Sequence, residues 1–275
     1  MTPLASVVKL ITVAAAMEQQ PDLYYAQFTC TGSLPLGSND FACAFGPHGQ
    51  QDMAQALANS CNIYFAQLAQ EVGGKALLSM AASMGLGQRP DIGLPASELG
   101  VGNLPELMDL ATPAGLANHF AMGGNKIEAT PLQVASMLSA IANGGYYVQP
   151  RLVLGLDQDL EKALSLPSVR QEKIMRTTTA QLLARMMHIS VRDGSAGNFD
   201  KTAYPYAAVN LAAKTGTSDD NLPPRGFQVR WNAGFFPWNN PRYVVVYMAE
   251  VPPGVNRVRR EQIVAEIVEA LAKLK

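Results

Sequence analysis

Arg242-Tyr243-Val244-Val245-Val246-Tyr247-Met248-Ala249-Glu250 is the stretch on which the fold class turns. Its centre is β-branched and aromatic, side chains that suit a pleated, half-buried surface. The Pro/Asn-rich segment 237–241 precedes it as a turn, and Asn232 to Phe236 before that turn reads as a second strand. Two such runs joined by a short turn predict an antiparallel hairpin. Farther upstream, Tyr206 to Thr217 alternates Val209, Leu211 and Ala213 and reads as a third strand.

Outward from these strands the pattern is helical. Residues 5–19 are rich in Ala and Val and stop at Pro21; residues 21–50 are irregular and glycine-punctuated. Short helices are expected over 52–58, 61–72 (with Ser60 as N-cap, ending at Gly73) and 75–84 (ending at Gly85). Thr130-Pro131-Leu132-Gln133 has the form of a capping box with Pro in the first turn, opening a helix to Asn143. Tyr146 to Leu156 reads as extended, and 174–193 as a helix ended by Gly194. An amphipathic helix over 260–274, with Ile263, Ile267, Leu271 and Leu274 along one face, closes the chain. Helices first and strands last predict an α+β fold. The expected division is a helical subdomain over about 21–145 and a sheet subdomain over about 146–275 that includes the helix at 5–19.

The chain has 275 residues, 48% hydrophobic, enough for one large core or two small ones. Net charge is -1, without the basic excess of a nucleic-acid binder. Arg257, Arg259 and Arg260 form one basic run, read as a solvated helix entrance. The apolar run Leu10 to Ala16 is too short to span a bilayer and lacks the flanks of a signal peptide, so the sequence as given is read as having neither export signal nor anchor. Three cysteines make no disulfide framework, although Cys30 and Cys43 flank a Gly/Ser-rich loop and can bridge in an oxidising compartment. With no C-x-x-C or H-E-x-x-H pattern, and His48, His119 and His188 far apart in sequence, no metal site is expected.

Three polar clusters carry the chemistry. Ser6-Val7-Val8-Lys9 puts a hydroxyl and an amine three residues apart on one helix face. A serine is a weak nucleophile until a base takes its proton, and a lysine can do so only when neutral, a state favoured by burial and nearby positive charge. The helix N-terminus adds partial positive charge beside both groups. The pattern alone is weak, since it arises about once by chance in a chain of this length and ordinary composition. Ser60-Cys61-Asn62 puts a hydroxyl and an amide at a helix start, equally compatible with plain capping. Lys214-Thr215-Gly216-Thr217-Ser218 ends a strand with a cation, hydroxyls and a glycine that permits close backbone approach, an arrangement suited to a carboxylate and also to a turn.

In combination and in this order, S-x-x-K, S-x-N and K-T-G resemble the signature of penicillin-binding proteins and class A β-lactamases. The separations, 54 residues from Ser6 to Ser60 and 154 from Ser60 to Lys214, resemble those of penicillin-binding transpeptidase domains. The segment Gln55 to Phe65, Thr130 to Ala135 with Ala142-Asn143-Gly144-Gly145, Gly194-Ser195-Ala196-Gly197, and Trp231 to Pro237 look like class B members of that family. The resemblance implies Ser6 as nucleophile, Lys9 as its base, and Ser60 and Lys214 as further catalytic groups. It implies Asn62, Thr215, Gly216 and Thr217 in substrate binding, with an oxyanion hole from the Ser6 and Thr217 backbone N–H groups. The implied reaction is D,D-transpeptidation of peptidoglycan stem peptides ending in D-Ala-D-Ala, without metal or organic cofactor. β-Lactams would act as acylating ligands, and a membrane glycosyltransferase would be a partner on the extracytoplasmic face of a bacterial membrane.

The family's domain has a segment before S-x-x-K that supplies two sheet strands, whereas five residues precede Ser6 here. The expectation is therefore a transpeptidase fold with its first sheet strands missing and a bare apolar edge on the strand at 242–250. Rival readings with the same residues are a β-lactam sensor or inactive binding fragment of a cell-wall complex, a D,D-carboxypeptidase and a β-lactamase. Glu98, Glu106 and Asp109 are the acidic groups available to a deacylating water in the last case.

Overall fold

The computed structural model describes residues 1–37, 39–124, 126–153, 155–156, 164–165, 170–218, 226–252, 255 and 259–274. At its centre is helix α1 (Lys9–Gln19), in which every residue from Lys9 to Met17 is buried. A helix apolar on all sides belongs in the interior, and α1 packs against helices on several flanks. A 3₁₀ turn (Ala5–Val8) leads into it, and strand β1 (Thr2–Pro3) precedes that turn. Each fully buried Val, Leu or Ile side chain contributes about 1.5–3 kcal/mol. Leu10, Ile11 and Val13, all at 0% exposure, thus offset the cost of taking the Lys9 amine out of water.

The region expected to be irregular holds two nested antiparallel pairs. Strand β2 (Phe28–Cys30), β3 (Ser33–Leu36), β4 (Asn39–Ala42) and β5 (Gly49–Gln51) follow in order, with β3 on β4 inside β2 on β5. Then come α2 (Met53–Ala58), α3 (Asn62–Val72), α4 (Gly74–Ser83) and α5 (Pro113–Leu116). Asp52 caps α2 in a reciprocal box with Gln55. Strand β6 (Glu128–Ala129) pairs with β1, and α6 (Pro131–Ala142) carries the expected Thr130–Gln133 capping box, both bonds formed. Short pairs follow: β7 (Tyr146–Val148) with β10 (Gln171–Lys173), and β8 (Gly155–Leu156) with β9 (Leu164–Ser165). Part of the extended stretch expected at 146–156 lies outside the described residues. Helix α7 (Thr177–Asp193) runs to Gly194, as expected.

The sheet expected from the sequence is present, with one correction. Helix α8 (Pro205–Asn210) occupies the first half of what reads as a strand over 206–217, and β11 (Ala212–Thr217) the second half. Pro205 stands in the first helical turn, and Glu269 Oε1 accepts the Ala207 N–H at 3.0 Å. Val209, one of the alternating residues, is 61% exposed on that helix. Strands β12 (Gln228–Phe236) and β13 (Tyr243–Val251) form the predicted hairpin, and the order is β11-β12-β13, all antiparallel. The architecture is α+β, with helices packed on the sheet. Trp231, fully buried on β12, donates its indole N–H to Pro3 O at 2.8 Å and ties the sheet to the start of the chain.

Among the described residues no strand pairs with the outer edge of β13, where Val244 and Val246 are half-buried. This is the apolar edge expected from the sequence. Helix α9 (Arg260–Leu271) closes the described chain and buries Val264, Ala265 and Val268. The predicted stripe holds only in part: Leu271 packs against the core, but Ile267 is 37% exposed, and Leu274, beyond the end of the helix, 58%. Apolar residues populate so much of this helix that spacing alone does not choose the buried face. Among the described residues no helix is long and apolar enough to cross a membrane.

Candidate active site

Ser6 lies in the 3₁₀ turn, where three residues make one turn and side chains at i and i+3 eclipse. Lys9 follows at that interval, and its Nζ lies 2.7 Å from Ser6 Oγ. Ala5 enters the turn with φ at +48°, a strained value for a residue with a Cβ. Gly123 accommodates it, since a Cβ there would meet Ala5 O at 2.2 Å. Lys9 is fully buried, and its Nζ also reaches Asn62 Oδ1 at 2.9 Å and Ser60 Oγ at 3.3 Å. Burial pushes its pKa down from 10.5 to about 7, against a weaker opposite pull from the Cys61 and Cys43 thiols. Near neutral pH much of Lys9 is therefore an uncharged amine, able to take a proton from Ser6.

Ser60 is not the N-cap of α3. Cys61 is, its Sγ accepting the Tyr64 N–H at 3.4 Å, while Ser60 stands one residue earlier with φ at +55°. Strain of this kind concentrates at functional sites. Here it leaves the hydroxyl free of capping and in contact with two amines, Lys214 Nζ at 3.0 Å and Lys9 Nζ at 3.3 Å. Lys214, on β11, is fully buried. Burial, then the positive charges of Lys9 and Arg260, hold its pKa well below the usual lysine range. Its Nζ also donates to Thr215 O at 3.2 Å.

Strand β11 lies against the nucleophile turn at Gly216. A Cβ at that position would sit 3.0 Å from Leu4 O and 3.1 Å from Val7 Cγ2. Beyond it, Thr217 is exposed, and its hydroxyl accepts from Arg260 Nη1 at 3.0 Å; the same nitrogen donates to Gly216 O at 2.8 Å. Arg260 Nε is held by Glu261 Oε1 at 2.6 Å. Arg260 is thus a wall of the site and not the solvated residue read from the sequence; Arg257 of the same run lies outside the described residues. Thr215 Oγ1 lies 3.4 Å from Ser195 Oγ.

The structure brings Ser6, Lys9, Ser60, Asn62 and Lys214 into one hydrogen-bonded chain, with Thr215, Gly216 and Thr217 along the adjoining strand. Sequence reading gave neither Ser195, which stood only within a family-like segment, nor Arg260 a place in the site. For Arg260 the only signal was a basic residue at a helix start, which is usually solvated. A second omission lies just behind Ser60. Sequence distance argued against any metal site, yet the ligand atoms of Cys30, Cys43, His48 and Cys61 fall within 4.8 Å of one another. All three cysteines are free thiols, so the Cys30–Cys43 bridge considered from the sequence is not formed.

A neutral amine beside a hydroxyl activates a nucleophile. A second hydroxyl between two amines can relay a proton, and hydroxyls with buried cations can hold a carboxylate. The comparisons with known proteins agree with that chemistry. The family model of the penicillin binding protein transpeptidase domain matches residues 1–271. The peptidoglycan D,D-transpeptidase PbpA of Mycobacterium tuberculosis is 30% identical over 257 residues, 90% of this chain and 50% of that protein. The chain spans about half the length of the first curated relatives it matches. Penicillin-binding protein 3 of Mycobacterium tuberculosis complexed with aztreonam superposes with a TM-score of 0.80 at 25% identity, covering 100% of this chain and 63% of that one. The imipenem acyl-enzyme complex of penicillin-binding protein A from the same organism gives 0.80 at 26% identity, covering 99% and 60%.

Proposed function

This chain belongs to the penicillin-binding protein transpeptidase family, and from that premise we propose that it is a serine D,D-transpeptidase acting on peptidoglycan stem peptides that end in D-Ala-D-Ala. Ser6 Oγ attacks the carbonyl carbon of the penultimate D-Ala and passes its proton to neutral Lys9. The oxyanion is held by the backbone N–H groups of Ser6 and Thr217, a type of contact whose loss costs about 10²–10³ in rate. When the carbon–nitrogen bond breaks, Ser60 hands a proton to the departing D-Ala amine and takes up in its place the one Lys9 received from Ser6, with Lys9 and Lys214 on its two contacts. The amine of a neighbouring stem peptide then attacks the Ser6 ester; Lys9, neutral again, takes a proton from that amine and returns one to Ser6 Oγ as it leaves, and the cross-link forms.

Binding falls to the strand side. Thr215, Thr217 and Lys214 take the terminal carboxylate, Gly216 keeps the strand close to Ser6, and the Asn62 amide holds the peptide. The same reading divides the domain into a helical part over 21–145 and a sheet part over 146–275 with the helix at 5–19. A β-lactam would acylate Ser6 and leave slowly, in keeping with the acyl-enzyme form of the imipenem complex named above. The extracytoplasmic face of a bacterial membrane and a glycosyltransferase partner belong to the proposal, motivated by relatives named for peptidoglycan synthesis.

The observation that carries the reading is the continuous run from Ser6 through Lys9 and Ser60 to Lys214, with contacts of 2.7, 3.3 and 3.0 Å. A fluorescent penicillin tests it. Label mapped to Ser6 and lost in Ser6→Ala supports the proposal; folded protein that takes no label ends it. Release of D-Ala with and without an amine acceptor then separates cross-linking from carboxypeptidase action, and steady hydrolysis of a chromogenic cephalosporin would point to a β-lactamase instead.

A further inference from the structure

The residues behind Ser60 form a second constellation that the acyl-transfer chemistry does not use. Cys30 ends β2, Cys43 follows β4, His48 precedes β5, and Cys61 caps α3. Cys43 Sγ lies 3.9 Å from Cys61 Sγ. His48 Nδ1 lies 3.6 Å from both Cys30 Sγ and Cys43 Sγ. All four ligand atoms fall within 4.8 Å of one another, the three cysteines buried and His48 half-buried. A tetrahedral zinc ion with Zn–S about 2.3 Å and Zn–N about 2.0–2.1 Å requires sulfur–sulfur edges of about 3.8 Å and sulfur–nitrogen edges of about 3.5–3.6 Å. Three of the six edges, at 3.6, 3.6 and 3.9 Å, match these values, and the other three lie within 4.8 Å.

The scaffold holds the donors in position through main-chain bonds. His48 N–H donates to Cys30 O at 3.2 Å, and Cys43 N–H to Gly32 O at 2.9 Å. Cys61 Sγ accepts the Tyr64 N–H, the kind of contact that supports a thiolate ligand. Cys30 Sγ also lies 3.7 Å from Gly46 O, a thiol contact that deprotonation would give up. Three thiols and an imidazole make a soft, four-donor set, suited to zinc and unsuited to magnesium or calcium. A disulfide would join two of the thiols and leave the third with the histidine.

We propose that Cys30, Cys43, His48 and Cys61 bind one zinc ion in a closed tetrahedral site. With four protein ligands the site has no open position for a substrate, so its role is structural. It fastens the β2–β5 lobe to the start of α3. Cys61 stands between Ser60 and Asn62, so the ion fixes two of the residues that touch Lys9, including the strained Ser60 backbone.

The test reads metal, not activity, and stands apart from the transpeptidase reading. Protein purified from zinc-supplemented cells under reducing conditions, without chelator, is analysed for bound zinc. One zinc per chain is expected. After removal of zinc, titration with cobalt(II) should give the intense visible bands of a tetrahedral thiolate site, saturating at one equivalent. Thermal unfolding should shift upward with zinc, since an ion that binds the folded chain stabilises it. Cys43→Ser should lose the bound zinc and the cobalt bands. If that variant does not fold, the wild-type cobalt titration decides alone. Well under one zinc per chain, weak octahedral cobalt bands, or a Cys30–Cys43 disulfide in non-reducing peptide maps would overturn the proposal.

Discussion

On the helical side of the site the groups around the base are sunk in the protein, whereas the strand side is equally buried up to Gly216 and reaches the surface only at its end, Thr217. Lys9 has 0% exposure, Ser60 6% and Asn62 8%, all around the buried helix α1 and the start of α3. Along β11, Lys214 at 0% and Thr215 at 5% are as deep, and only Thr217 is exposed, where it leans on Arg260. The contrast assigns different physics to the two halves. The helical half sets reactivity by desolvation: an amine out of water loses its proton near neutral pH. The strand half can change what it holds without changing what Ser6 can do, because its end residue, Thr217, meets ligand and solvent together.

The comparison breaks most severely if the helical half loses its base. Lys9→Met keeps an unbranched chain of similar volume in the core. It should lower the rate of β-lactam acylation by about 10³ or more, within the range seen for removal of a positioned base. Circular dichroism should be unchanged and the melting temperature equal or higher, since a buried amine is replaced by an apolar group. Stopped-flow acylation beside thermal melts checks both. Retained acylation would move the base elsewhere. Ser60→Ala should cost less, about 10², because Ser6 and Lys9 remain in contact while the bridge between the two amines is lost.

On the strand side the expected loss is smaller and of a different kind. Arg260→Ala removes the donor to Thr217 Oγ1 and Gly216 O. Loss of a hydrogen bond to a charged group, at about 1.5 kcal/mol, corresponds to a little over tenfold. The loss should appear in the concentration dependence of acylation, with the limiting rate nearly intact. A fall in the limiting rate instead would place Arg260 with the catalytic groups.

The same contrast explains what could be read in the sequence. Ser6 and Lys9 are legible because they are three residues apart on one local element, and local geometry alone brings them together. The capping box at Thr130 and the hairpin of β12 and β13 are equally local. Ser60 was assigned to the right cluster but one residue off in role, because Ser and Cys both stand at the helix start and only the backbone torsion shows which one caps. Arg260 needed the tertiary packing of α9 on β12 and β13, which carries its side chain to β11 and which no spacing encodes. Alternation over 206–217 concealed α8, since a six-residue helix is too short to display its period. The four metal donors, spread from position 30 to 61, become neighbours only through the nested β2–β5 pairs.

The finest prediction concerns pH, because it separates the two lysines. Only the neutral form of Lys9 can accept the Ser6 proton. With its pKa at about 7, acylation should rise as pH rises through neutrality, by about tenfold from pH 6 to pH 8. Lys214 lies well below the usual range through burial and the charges of Lys9 and Arg260, yet it does not touch Ser6 in the hydrogen-bond pattern. Its protonation should therefore alter binding of a carboxylate more than the limiting rate. The folded-state pKa of Lys9 is depressed, so the unfolded chain binds more protons between about pH 7 and 10.5. Stability should rise with pH across that window, and Lys9→Met should flatten that part of the slope. An acylation profile without an inflection near neutrality, in a protein that still labels at Ser6, would mean that the base on the helical side stays charged and that desolvation does not set its reactivity.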